Sequence, residues 1–180
     1  MERKVEFEIN KTANTAKYNI QRYFEQFGFK TQQTEPNKLI FHQGSTFRNM
    51  ITFNPLKWKS RIEITINEKL VSASFKINTI GQMVTTKEEN LWDVFINNFQ
   101  DSIVNGNDTK DTVKSELKNT YKSSLDYVLQ VFLGALIFGI PGGIISHFTG
   151  TTMFVTGSAV GGALYFMHRK NQRDRAKRGT

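Results

Sequence analysis

Hydrophobic positions change their period along this chain. Val5, Phe7 and Ile9 alternate with Lys4, Glu6 and Glu8, the two-residue period of a strand with one buried face. The period then lengthens. Ala13, Ala16, Ile20, Phe24 and Phe27 share one face of a helix predicted over 13–27, with Thr12 as its cap and Gly28 placed to end it in the left-handed conformation. Strands are predicted next near Lys38–Gln43, Met50–Phe53, Arg61–Asn67 and Val71–Asn78. The clearest pair sets Ile62, Ile64 and Ile66 against Val71, Ala73, Phe75 and Ile77, joined by a turn over Asn67–Leu70. Thr86 followed by Glu89 reads as a capping box. It opens a helix over about 87–104 with Leu91, Trp92, Phe95, Phe99 and Ile103 inward.

Residues 1–105 therefore predict an α+β cytoplasmic domain of order β-α-β-β-β-β-α, an antiparallel sheet with two helices on one face. The other face is polar, with Lys4, Glu6, Glu8, Arg61, Glu63, Thr65, Ser72, Ser74 and Lys76. It suits solvent, a partner or a neighbouring subunit. In residues 106–126, Val113, Leu117, Tyr121 and Leu125 recur every four positions, the stripe of a connector helix. That stripe fits packing on the domain, packing on copies of itself, or a solvated stalk.

From Tyr127 to His168 the pattern is lost, because 42 consecutive residues include no Asp, Glu, Lys or Arg. One bilayer span needs about 20 residues. The block predicts a two-helix transmembrane hairpin, with spans near 127–147 and 153–168 and a turn around 148–152. Pro141-Gly142-Gly143 offers an earlier turn, at the cost of drawing Asp126 towards lipid. As a buried hairpin of a soluble protein, the block would need cover on every side, more than the rest of the chain supplies. Ala135, Gly139 and Gly143 fall on one face of the first span, and Gly157 and Gly161 form a GxxxG in the second. Such rows let helices approach closely, either within the hairpin or around a homo-oligomer or pore.

Composition averaged over the chain hides this organisation. The 180 residues carry net charge +8, from 24 basic against 16 acidic side chains, with mean hydropathy −0.42. Those values resemble a soluble basic protein and invite nucleic acid as partner. Yet residues 1–108 carry only +2, whereas the last twelve carry +5 through Arg169, Lys170, Arg173, Arg175, Lys177 and Arg178. A basic tail beside an uncharged block is the positive-inside signal. It places both termini in the cytoplasm and the tail against anionic lipid. With no aromatics interleaved, the tail is a poor nucleic-acid arm. The first residues lack an apolar run of the signal-peptide type.

Catalytic patterns do not emerge. There is no cysteine, the three histidines (42, 147 and 168) are dispersed, and neither a phosphate loop nor a nucleophile elbow occurs. Glu88 and Glu89 sit at a helix N-terminus, where the dipole accounts for them. His42 reads as a strand residue. No enzyme activity, metal or cofactor is expected. One segment departs from balance: between Glu35 and Glu63 stand Lys38, Arg48, Lys57, Lys59 and Arg61 with no acid. Within it, Lys57, Trp58, Lys59 and Arg61 are candidates for contact with a membrane surface or a neighbouring subunit. Solvation and internal pairing explain the same charges. The functional expectation is a membrane-anchored protein whose cytoplasmic domain binds a partner and self-associates. A channel-like oligomer and a passive scaffold are the alternatives.

Overall fold

A computed structural model describes residues 1–82 and 84–176, excluding the side chains of residues 33, 34, 50, 123, 124, 174 and 175. Two compact units result, Met1–Thr120 and Tyr121–Thr180. The first is an α+β domain. Its strands are β1 (Glu2–Glu8), β2 (Lys30–Glu35), β3 (Lys38–Gln43), β4 (Ser60–Asn67) and β5 (Leu70–Ile77). Its helices are α1 (Ala13–Gln26), the short α2 (Thr46–Ile51) and α3 (Thr86–Val104). The five strands form one antiparallel sheet in the order β1-β5-β4-β3-β2.

The inward residues of the sheet meet α1 and α3 on one face, as the alternation requires. Phe7, Leu39, Phe41, Ile62, Ile64, Ile66, Val71, Ala73, Phe75 and Ile77 join Ile20, Phe24, Phe95 and Phe99 in a single core. Phe24 is at its centre, with ring centroids 4.7 Å from Phe41, 5.1 Å from Phe99 and 5.5 Å from Phe29. Tyr23 enters the same cluster and donates its hydroxyl hydrogen bond to the Phe95 carbonyl at 2.8 Å. Burial pushes that hydroxyl's pKa far above its ordinary value, with a bond to Thr109 partly opposing the shift.

Local chemistry explains the element ends. Thr12 accepts a hydrogen bond from the Thr15 amide and caps α1, and Gly28 adopts φ +85 just past its end. The capping box of α3 lies one residue earlier than expected. Thr85 is the cap, and Glu88 accepts from the Thr85 amide at 2.8 Å. Thr85/Glu88 and Thr86/Glu89 share the same spacing; Glu88 turns inward and is buried.

Two expectations about strands need correction. Residues 50–53 are not a strand, because Ser45 accepts from the Arg48 amide and opens α2 over Thr46–Ile51. Asn49 fastens that helix to the sheet, donating to the Asn78 carbonyl at 2.8 Å and accepting from the Lys59 amide at 2.7 Å. The fifth strand is β2 instead. Its sequence, KTQQTE, has no apolar alternation, and it lies at an edge of the sheet, paired to β3 alone through a bulge between Thr31 and Gln33.

The connector and the first uncharged segment form one helix, α4 (Lys110–Thr149), and α5 (Met153–Ala176) follows after Gly150 at φ +71. Val113 enters the domain core and Leu117 packs partly on it, whereas Tyr121 and Leu125 are exposed.

Trp58 and Trp92 are the chain's two tryptophans, and both are buried in the domain core. Their fluorescence therefore reports domain unfolding in the full chain held in detergent. Phe24→Ala is expected to lower stability by about 3–5 kcal/mol in denaturant titrations, and Phe47→Ala, at 73% exposure, by no more than about 0.5 kcal/mol. A small loss for Phe24→Ala would contradict its central position.

Candidate functional site

Register sorts the charges of the sheet's open face into transverse rows. Lys30 stands opposite His42, His42 opposite Arg61, Arg61 opposite Lys76, and Lys76 opposite Glu2. One row inward come Ile40, Glu63, Ser74 and Lys4, then Glu35, Lys38, Thr65, Ser72 and Glu6. The inner rows mix signs. The outer row brings Lys30, His42, Arg61 and Lys76 side by side, although like charges placed directly opposite destabilise a sheet.

This row borders an open groove of about 640 Å³, lined among others by His42, Lys59, Arg61, Lys76, Glu2 and Asn78. Gly44 shapes one side, with φ +70 and its backbone pressed on residues 57–59. A Cβ there would lie 2.4 Å from the Lys57 carbonyl oxygen and 2.7 Å from the Lys59 nitrogen, so only glycine permits this approach. Glu63 holds Arg61 from the inner row, accepting from Nε at 2.9 Å, and its other oxygen lies 3.5 Å from Lys38 Nζ. The hydrogen bond from Arg61 is the main reason the Glu63 carboxyl is held below its ordinary pKa. Among the described residues, the terminal nitrogens of Arg61 and the ammonium groups of Lys59 and Lys76 have no hydrogen-bonding partner.

The expected Lys57, Trp58, Lys59 and Arg61 cluster divides accordingly. Trp58 follows a 3₁₀ turn (Pro55–Lys57) and is 1% exposed in the core, so its ring is not available to a bilayer or a neighbour. Lys57 and Lys59 are exposed on either side of it, and Arg61 lies on the open face of β4. The apolar groups outside at this end are Phe47 and Ile51 of α2, and Ile80 just past Asn78. Sequence reasoning missed Lys30 and the alignment of His42 with Lys76, which only strand register reveals. No grouping of three or more His, Cys, Asp or Glu suited to a metal occurs among the described residues.

In the second unit α4 and α5 run antiparallel in close contact. Gly134 and Gly162 face each other so closely that a Cβ on either would fall within 2.6 Å of the other's carbonyl oxygen. A Cβ on Gly142 would likewise meet the Phe154 carbonyl oxygen at 2.6 Å, and one on Gly139 would lie 3.3 Å from Ala159 Cβ. At the two ends Tyr127 donates to the Met167 carbonyl and Ser146 to the Thr151 carbonyl. Of the residues expected at helix contacts, Ala135, Gly139 and Gly143 are half-buried, whereas Gly157 and Gly161 are exposed and face open space. The contact is carried instead by Gly134, Gly142 and Gly162. In the basic tail, Arg169 and Arg173 are exposed and Lys170 is buried. The Arg175 side chain, Lys177 and Arg178 lie outside the described residues.

Among the described helices only α4 is long and apolar enough to cross a membrane, with mean hydropathy 2.1 over its most apolar stretch. The uncharged part of α5, residues 153–168, is about 24 Å long at 1.5 Å per residue, shorter than a hydrocarbon core of about 30 Å. It is also diluted by glycine, serine and threonine. No protein-family model and no curated protein matches the chain.

Two measurements follow. Glu63→Gln is expected to cost up to about 1 kcal/mol at pH 7, as for a surface pair. Because the folded pKa of Glu63 is depressed, the native contribution is complete above the ordinary carboxylate pKa of about 4.3. It is lost as pH falls through the lower folded value, so the two proteins should converge in acid; a constant gap would contradict the pairing. For the helices, Gly139→Cys with Ala159→Cys is expected to oxidise to an intrachain disulfide, since the Cβ positions lie 3.3 Å apart, a few tenths of an ångström inside the usual range of about 3.5–4.5 Å. Adding Gly162→Leu should suppress cross-linking and adding Gly157→Leu should not. The opposite order would assign the contact to the wrong face.

Proposed function

We propose that this protein is anchored in a membrane by α4 and α5 as a two-helix hairpin, with its α+β domain and basic tail on the cytoplasmic side. In this reading it acts through binding and self-association rather than catalysis. The observation that carries it is the exposure of apolar surface on the second unit. Phe132, Ile137, Ile140, Ile144 and Phe148 are 54–81% exposed along α4, and only 11% of its most apolar stretch is buried. Contiguous surface of this kind is unfavourable in water at about 25 cal/mol per Å² and matches lipid. The glycine contacts between α4 and α5 support a shared span, because close backbone approach replaces hydrophobic driving force inside a bilayer.

Self-association has a separate support in Gly157 and Gly161, a GxxxG left uncovered on α5. A second copy is the occupant that suits it, and the basic groups of the domain and tail suit anionic lipid. A conduit lined by α5 is the alternative use of that face.

The protein is expected to resist extraction by alkaline carbonate. In intact cells Thr151→Cys should react with a membrane-impermeant maleimide and Lys69→Cys should not. Release by carbonate, or the reverse labelling, would overturn the anchoring reading. In detergent a defined oligomer is expected, reduced to a monomer by Gly157→Leu with Gly161→Leu. A monomeric native protein would remove self-association, and ion leakage from liposomes carrying the oligomer would favour the conduit.

A further inference from the structure

We infer that the groove at the outer row of the sheet is a binding site for a phosphate monoester, held by Arg61, Lys76 and Lys59. Cations are set side by side here in a way that folding alone disfavours, with Glu2, opposite Lys76 on its other flank, the one acid among the described residues of the row and the groove lining. Arg61 and Lys76 are direct cross-strand partners, and like charges so placed repel. His42 and Lys30 extend the row, and Lys59 lines the same groove. Glu63 occupies Nε of Arg61 and so fixes the guanidinium while leaving its terminal nitrogens without partners. A fixed guanidinium fork matches phosphate geometry, and lysines add point charges around it. The doubly ionised form of a phosphate monoester, carrying nearly −2 at neutral pH, suits three converging cations better than a carboxylate does. The groove, at about 640 Å³ and open, has room for the esterified group as well. Two sources share this chemistry: a soluble organic phosphate and the headgroup of phosphatidic acid. This inference does not depend on the membrane reading.

The test uses the full chain in zwitterionic detergent, with unfolding followed by tryptophan fluorescence at constant ionic strength. Inorganic phosphate and dihexanoyl phosphatidic acid are the probes, against chloride and dihexanoyl phosphatidylcholine. A ligand at 100-fold its Kd is expected to raise the unfolding midpoint by about 10 °C. A response to phosphate identifies a soluble ligand as sufficient; a response to phosphatidic acid alone assigns the site to lipid. Arg61→Gln with Lys76→Met should abolish the shift, whereas Lys69→Ala, at the far end of the β4–β5 pair, should keep it. Without ligand the double variant loses the Arg61–Glu63 pair together with the Arg61–Lys76 repulsion, so its midpoint is expected to stay near the native one, and a single cooperative fluorescence transition distinguishes loss of response from misfolding. No shift with either probe, an equal shift with chloride, or a shift that survives the double variant would overturn the site.

Discussion

The sheet of this protein can bury only one face, because α1 and α3 both lie on the same side of it. That constraint organises the domain. Aromatic residues from both helices and three strands fill the covered side, with Phe24 touching rings from β3, β5 and α3. Apart from Arg3, which pairs with Asp93 of α3 at 3.0 Å, the charged strand residues are thereby sent to the other side, where antiparallel register decides which charges become neighbours. The cationic row and the groove beside it are consequences of pairing. A shift of one residue in the β4–β5 register would separate Arg61 from Lys76 and also turn the isoleucines of β4 outward. Core packing and the surface pattern are thus locked to the same register.

In the second unit the corresponding constraint is distance between backbones. Where the glycines of α4 and α5 meet there is no Asp, Glu, Lys or Arg to associate through salt bridges. What remains is packing, and it requires the side chains at the crossing to vanish. Gly134 and Gly162 meet that requirement reciprocally, with Gly142 continuing the contact about two helical turns on. Glycine weakens helices in water, yet here it is what allows two helices to touch along their length. The same helix pair leaves Gly157 and Gly161 uncovered, which separates the glycines serving the pair from those that do not.

The α+β architecture was legible wherever one face of an element was apolar. β1, β4, β5, α1 and α3 all carry that signal, and their inward residues are those the period indicates. Legibility failed at β2, whose polar sequence KTQQTE offers no alternation and whose pairing is interrupted by a bulge, and at 50–53, where apolar residues imitate a strand. In the latter case the deciding residue is polar: Asn49, through two backbone hydrogen bonds, outweighs the pattern around it. Trp58 was misread for a related reason. A tryptophan between two lysines looks interfacial in one dimension, but adjacent side chains in an extended segment point oppositely, so exposed lysines are what a buried tryptophan should have beside it. The cationic row was invisible for a different reason, since its members come from four strands and no local window contains two of them.

Like-charge rows carry an energetic cost that local pairing can relieve, and this sheet relieves it unevenly. Glu63 serves both Lys38 and Arg61, which neutralises the inner row and anchors the guanidinium. The same carboxylate does not extend to Lys76 or Lys59, so the outer row keeps its repulsion. Glu2 stands opposite Lys76 on its other flank, yet its close ion pair is with Lys4 at 3.9 Å, and Arg61 still faces Lys76 directly. Surface charges usually rearrange at little cost, and long side chains can splay to lessen the repulsion. Splaying is restricted here for Arg61, because its Nε is held. A fixed guanidinium beside mobile ammonium groups is the arrangement in which an incoming anion gains most: one partner is already oriented, and the others lose repulsion when they close on the same charge.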